Sequence, residues 1–81
     1  MAKQERQVFH SILTKRDGWV VLLDKQVVSR HGSQKESEKA AIAEGRATYE
    51  DGGLGQAVLH KSDGTIREER TYGRDPERRQ G

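Results

Sequence analysis

"HGSQKESEKAAIAEGRATYEDGG", residues 31–53, is where the chain changes its period. On either side of it, apolar residues come in short blocks bounded by turn residues, the mark of strands. Inside it, Ala41, Ile42, Gly45 and Tyr49 recur at helical spacing along one stripe. Ser33 followed by Glu36 has the capping-box spacing. In that arrangement the hydroxyl accepts from a free N–H of the first turn and the carboxylate reaches back to the N–H of the cap residue. Glu36 with Lys39, and Arg46 with Glu50, can pair on the outer side. Gly52-Gly53 close the segment, because glycine reaches the left-handed conformation without a Cβ clash. The spacing therefore predicts one helix over residues 34–50. A glycine within the apolar stripe costs about 1 kcal/mol of helix propensity relative to alanine. Gly45 is accordingly read as the point where the helix backbone lies directly against a sheet.

Upstream, "QVFHSILT" mixes β-branched and aromatic residues with polar ones and stops at "KRDG", where Asp17-Gly18 signals a hairpin. "WVVLL", from Trp19 to Leu23, is apolar on both faces and reads as a central strand. "DKQ" supplies the next tight turn and "VVSRH" a third strand. Downstream, "GQAVLHK" reads as a fourth strand, "SDG" as a hairpin loop with Gly64 left-handed, and "TIREERT" as a fifth. Alternation along the last strand sets Ile66, Glu68, Arg70 and Tyr72 on one face and Thr65, Arg67, Glu69 and Thr71 on the other. The fold class is thus α+β, with order βββαββ: a three-stranded antiparallel meander, one helix packed on the sheet, and a C-terminal β-hairpin. Trp19, the only tryptophan, is expected to be largely buried against Ile42 and Tyr49.

With 81 residues the chain has room for one domain, expected over residues 8–73, with flexible ends at 1–7 and 74–81. The hydrophobic share of 31% against a charged share of 35% would suit disorder were the apolar residues scattered, but they are blocked and periodic. A formal charge of +2, with signs interspersed, gives only a weak field. Without cysteine there are no disulfides, thiolate metal sites or thiol nucleophile. No segment approaches the roughly 20 apolar residues of a membrane span, and "MAKQERQ" lacks the hydrophobic stretch of a secretory signal. The expectation is a cytoplasmic protein that does not contact the membrane.

The succession "DGW" with "VV", then "RHGSQKESEKAAIAEGR", then "VLHKSDGTIREERTYGRDP" resembles a small bacterial family, domain of unknown function 2188. The elements behind the resemblance are a hydrophobic strand, a Gly-Trp turn, a helix opened by Ser or Thr, a strand ending in His, an Asp-Gly-x-Ile hairpin and a terminal Tyr-Gly. They cover His10 to Pro76. Glu44-Gly45 departs from a segment that is often alanine-rich in the family. The resemblance implies the fold and no activity.

Catalysis finds no support in the residues. His10, His31 and His60 each fall on a predicted strand, so two or three of them could converge on a metal. Their spacing specifies no site, and no metal or cofactor is expected. None of the serines stands in a nucleophile-elbow context, and Ser33 is explained as a cap. Glu68 and Glu69 are strand neighbours that point to opposite faces and cannot share a proton. The glycines of "EDGGLGQ" follow a helix and precede a strand, the reverse of a phosphate cradle. The expected role is therefore that of a non-enzymatic binding module, acting through a protein partner or self-association. The alternative is nucleic-acid binding by the C-terminal arginines, with Arg67, Arg70, Tyr72 and Arg74 as the contact residues. Glu68, Glu69, Asp75 and Glu77 interrupt that basic stretch and cancel most of its field. A charged edge strand that blocks unwanted sheet pairing accounts for the same residues.

Overall fold

The computed structural model describes residues 6–73. Its elements are β1 (Arg6–Thr14), β2 (Gly18–Leu23), β3 (Gln26–His31), α1 (Gln34–Glu50), β4 (Leu54–His60) and β5 (Ile66–Tyr72). The order βββαββ is the one the sequence predicts. The flexible ends expected at 1–7 and 74–81 lie outside the described residues, apart from Arg6 and Gln7, which pair in β1.

Both hairpins form as read. β1–β2 and β2–β3 are antiparallel and make the meander, and β4–β5 are antiparallel and make the C-terminal hairpin. Sequence left open how the two join. They meet through β1 and β4, which run parallel, giving a mixed five-stranded sheet in the order β3-β2-β1-β4-β5. The helix supplies the long connection that parallel pairing requires. β1, and not β2, is consequently the middle strand.

The helix begins and ends as its residues dictate. The Ser33 hydroxyl accepts from the Glu36 N–H at 3.2 Å. At the other end, Gly52, at φ 96°, donates its N–H to the Tyr49 carbonyl while the Gly53 N–H reaches the Thr48 carbonyl. This is a Schellman closure, and it needs the left-handed residue that glycine provides. The turn between β2 and β3 is more strained: Asp24 and Lys25 stand at φ 54° and 68°, the conformation of a two-residue primed turn in which Asn and Gly are favoured.

Three small residues, Ser37, Ala41 and Gly45, form the buried stripe of α1. Their size lets the helix descend onto the sheet until Gly45 meets Gly55 of β4 backbone to backbone, the close approach expected of Gly45. Phe9, Val21, Ala41, Ala57 and Leu59 make the core between the two layers, with Leu23, Ala40 and Ile42 packed at its margin. The expected anchor of that core is corrected. Trp19 is only half-buried, paired with Leu13 and His31 at the start of β2, and Tyr49 is 51% exposed near the far end of the helix. The buried line of the helix runs through Ser37, Ala41 and Gly45 and not through Ile42 and Tyr49, so the large side chains of the expected stripe fall at the rim.

One polar chain crosses the layer interface. Ser37 donates its hydroxyl to the Val20 carbonyl at 2.9 Å, and therefore accepts from Ser11 at 2.8 Å. Both serines are fully buried, so the Ser11 hydroxyl depends on the Ser37 oxygen and the Ser37 hydroxyl on the Val20 carbonyl.

Candidate functional site

The charged ribbon of β5 is held against the protein. A register shift between Leu59 and His60 bulges the hairpin. Arg67, placed by simple alternation opposite Ile66 and Glu68, instead reaches α1. It grips Glu38 with two hydrogen bonds, from Nε at 3.0 Å and from Nη2 at 2.7 Å. Glu38 is the more buried partner, and its carboxylate holds the Arg67 guanidinium pKa above the ordinary range. Arg70 donates to Glu68 at 2.8 Å, an exchange that raises the arginine's pKa and lowers the carboxylate's. Tyr72 lays its ring over Gly45, with ring carbons 3.3 Å and 3.4 Å from where a Cβ would stand. Arg74, the fourth residue expected in a nucleic-acid contact, lies outside the described residues. The structure thus brings the three described residues of that set into contacts with α1 and β5 itself.

The opposite side of the molecule carries a second arrangement. Helix α1 covers one face of the sheet. Strand register and side-chain alternation place Val8, His10 and Ile12 of β1, Val20 and Leu22 of β2, and Gln56, Val58 and His60 of β4 on the other. Arg30, paired with Val20, lies on this face at the β3 edge, and Glu69, paired with Val58, lies on it at the β5 edge. Val20 and Val58 are buried by their neighbours, whereas Val8, Ile12 and Leu22 keep part of their surface in solvent. The face therefore carries apolar side chains around its polar centre, with Arg30 at one margin and Glu69 at the other. Arg30 forms an ion pair with Asp17 at 3.2 Å, and Glu69 accepts from Gln56 at 3.1 Å.

At the centre of this face His10 and His60 meet, with Nδ1 of His10 3.0 Å from Nε2 of His60. The second nitrogen of His60 lies 3.0 Å from the Gly64 carbonyl, which can only accept. Nδ1 of His60 therefore carries the proton, Nε2 is the acceptor, and His10 donates from its Nδ1. With ring centroids 5.2 Å apart for nitrogens at 3.0 Å, the two rings point at each other nearly end-on, the geometry of a hydrogen bond. Burial first, and the neighbouring imidazole second, lower the pKa of His10, with Glu69 opposing them. Of the three histidines weighed as ligands, two converge. His31 pairs with Trp19 on the helix side and bonds to Ser29 at 2.7 Å. Among the described residues, no group of three or more His, Asp or Glu side chains is placed to hold a metal.

Sequence reasoning did not select the His10–His60 face, because it exists only once β1 and β4 are known to be neighbours. The signal was nonetheless present: a histidine on each of two half-apolar strands, and side chains of β2 apolar in both directions.

A family model described as an uncharacterized protein conserved in bacteria (DUF2188) matches residues 9–72. No curated protein and no solved structure matches the chain.

Proposed function

Because the chain belongs to DUF2188, a bacterial family of uncharacterised proteins, we propose its role from its own surfaces: a small non-enzymatic binding module, acting through a protein partner or by self-association. The observation that carries this reading is the sheet face opposite α1, where Val8, Ile12 and Leu22 remain partly in solvent around the His10–His60 pair. Among the described residues no element covers that face, and its half-buried apolar side chains are stabilised when another surface takes them out of water.

Nucleic-acid binding is the weaker reading. Arg67 and Arg70 would have to give up Glu38 and Glu68 before they could neutralise phosphates, and those carboxylates would then face the same strand. Titration of the protein with mixed-sequence duplex and single strands at low and physiological salt tests it. Submicromolar affinity near physiological salt that falls in Arg67→Gln/Arg70→Gln moves the functional surface to β5. Binding only at low salt, unaffected by those substitutions, leaves the sheet face as the contact surface.

A further inference from the structure

We propose that the helix-free sheet face is a homodimer interface, on which a second copy of the chain lies face to face across a two-fold axis running along β1. This inference rests on the reading of that face as the binding surface and names its occupant.

Symmetry and charge together point to a second copy. A half-turn about an axis parallel to β1 preserves strand direction and reverses strand order, so β3 of one copy lies over β5 of the other. Arg30, which is largely exposed and also pairs with Asp17, is the cation of the β3 margin, and Glu69 is the anion of the β5 margin. The half-turn sets each Arg30 toward the other copy's Glu69, twice per dimer, while β1 meets the other copy's β1 and β2 meets the other copy's β4. Arg30 is level with Ile12 and Glu69 with His10, an offset of two residues or about 7 Å along the strands, within the reach of an arginine side chain and of the roughly −30° rotation between aligned sheets. A heterologous partner would have to reproduce this charge gradient by coincidence, whereas a second copy carries it by construction of the face.

Size is consistent with this. Five strands about 4.8 Å apart and about seven residues long span roughly 500 Å² in projection. Once side-chain relief is added, that approaches one partner's share of a standard interface, about 800 Å². The β5 edge is a poorer route to association, because Arg67, Glu69 and Arg70 are exposed along it, and charge on an edge resists strand addition.

Sedimentation equilibrium of the full chain from micromolar to millimolar concentration reads the mass directly. The expected result is a species of twice the 9.1 kDa chain. Leu22→Glu, checked for an unchanged circular dichroism spectrum, should weaken the dimer by about a hundredfold. Arg30→Glu and Glu69→Arg leave the apolar surface intact, and each alone should weaken the dimer about tenfold. Mixed in equal amounts, those two variants should recover wild-type association, since every cross-copy pair is again of opposite sign. A dimer insensitive to Leu22→Glu, or charge variants that fail to recover on mixing, would overturn the proposed geometry. A wild-type chain that stays monomeric throughout overturns the homodimer. In that case, a cellular protein captured by the wild type and lost with Leu22→Glu would preserve the binding-module reading, and no such protein would remove both.

Discussion

Adding one methyl group at Gly55 should damage this protein far more than adding it at Gly45, although the two glycines touch. A Cβ on Gly55 would enter the volume of the Gly45 carbonyl oxygen and lie 2.9 Å from its carbon and 3.0 Å from its Cα. All three obstacles are helix backbone, which has no rotamer to change, so α1 must lift from the sheet. Lifting also loosens Ala41 from Phe9, Val21, Ala57 and Leu59. Overpacking of this kind costs about 1–3 kcal/mol, and rigid obstacles place Gly55→Ala near about 3 kcal/mol. A Cβ on Gly45 meets a Tyr72 ring carbon at 3.3 Å and the Gln56 carbonyl carbon at 3.4 Å. Tyr72 is half-buried at the end of an edge strand and can give by a few tenths of an ångström. The helix gains about 1 kcal/mol of propensity from the alanine, so Gly45→Ala should lie within about 1 kcal/mol of wild type. For a domain of this size each kcal/mol moves Tm by about 4–8 °C. Thermal melts and urea denaturation should therefore show Gly55→Ala melting about 12–24 °C below wild type and Gly45→Ala within about 8 °C of it. Equal losses for the two, or a wild-type Tm for Gly55→Ala, would refute the backbone contact as the device that sets the layer spacing.

Ser37→Ala strands the Ser11 hydroxyl in the core and removes a bond from the Val20 carbonyl, so urea denaturation should show a loss of about 1–3 kcal/mol, while Ser11→Ala, which leaves the Ser37–Val20 bond in place, should cost less than half as much. Adding Ser11→Ala to Ser37→Ala should then restore stability rather than lower it further. Lys25→Gly relieves a left-handed lysine and should raise stability by about 1 kcal/mol; an unchanged or lower urea midpoint would mean that the turn is not strained at that residue. Because the folded pKa of His10 lies below its ordinary value of 6.5, the unfolded chain takes up that proton first as the pH falls. The His10 contribution to stability is therefore complete above about pH 6.5 and is lost as the pH falls below it toward the folded pKa. His10→Gln should flatten the dependence of Tm on pH in that window, and an NMR titration that placed the His10 midpoint at or above 6.5 would contradict the buried pair.

What was legible in the sequence follows from the range of the interactions involved. Ser33 and Glu36, Gly52-Gly53, Asp17-Gly18 and Asp63-Gly64 act on neighbours a few residues away, and the helix and both hairpins could be read from them. The β1–β4 pairing joins Ser11 to Leu59, and no local signal encodes it. The consequences of that pairing were hidden with it: the His10–His60 contact, the fact that β1 is the middle strand, and the face they share. Trp19 misled because it opens the most apolar strand, and that strand is not the middle one. Arg67 misled for another reason, since alternation fails at a bulge and turned a solvent-facing arginine into the partner of Glu38.

The position of β1 has a consequence for how the chain acquires its structure. The meander is complete in sequence at His31, but the parallel neighbour of its middle strand ends at His60. At a synthesis rate of about 5–20 residues per second, a nascent chain holds an unpaired β1 edge and an uncovered Phe9 and Val21 for about 1–6 s before β4 can dock. Pairing across so long a loop also places the slow step of folding late, after both hairpins and the helix have had time to form. The β1 edge is thus the surface most open to aggregation or chaperone binding before folding is complete, and substitutions that speed β4 docking should raise soluble yield even where they leave the equilibrium stability of the finished domain unchanged.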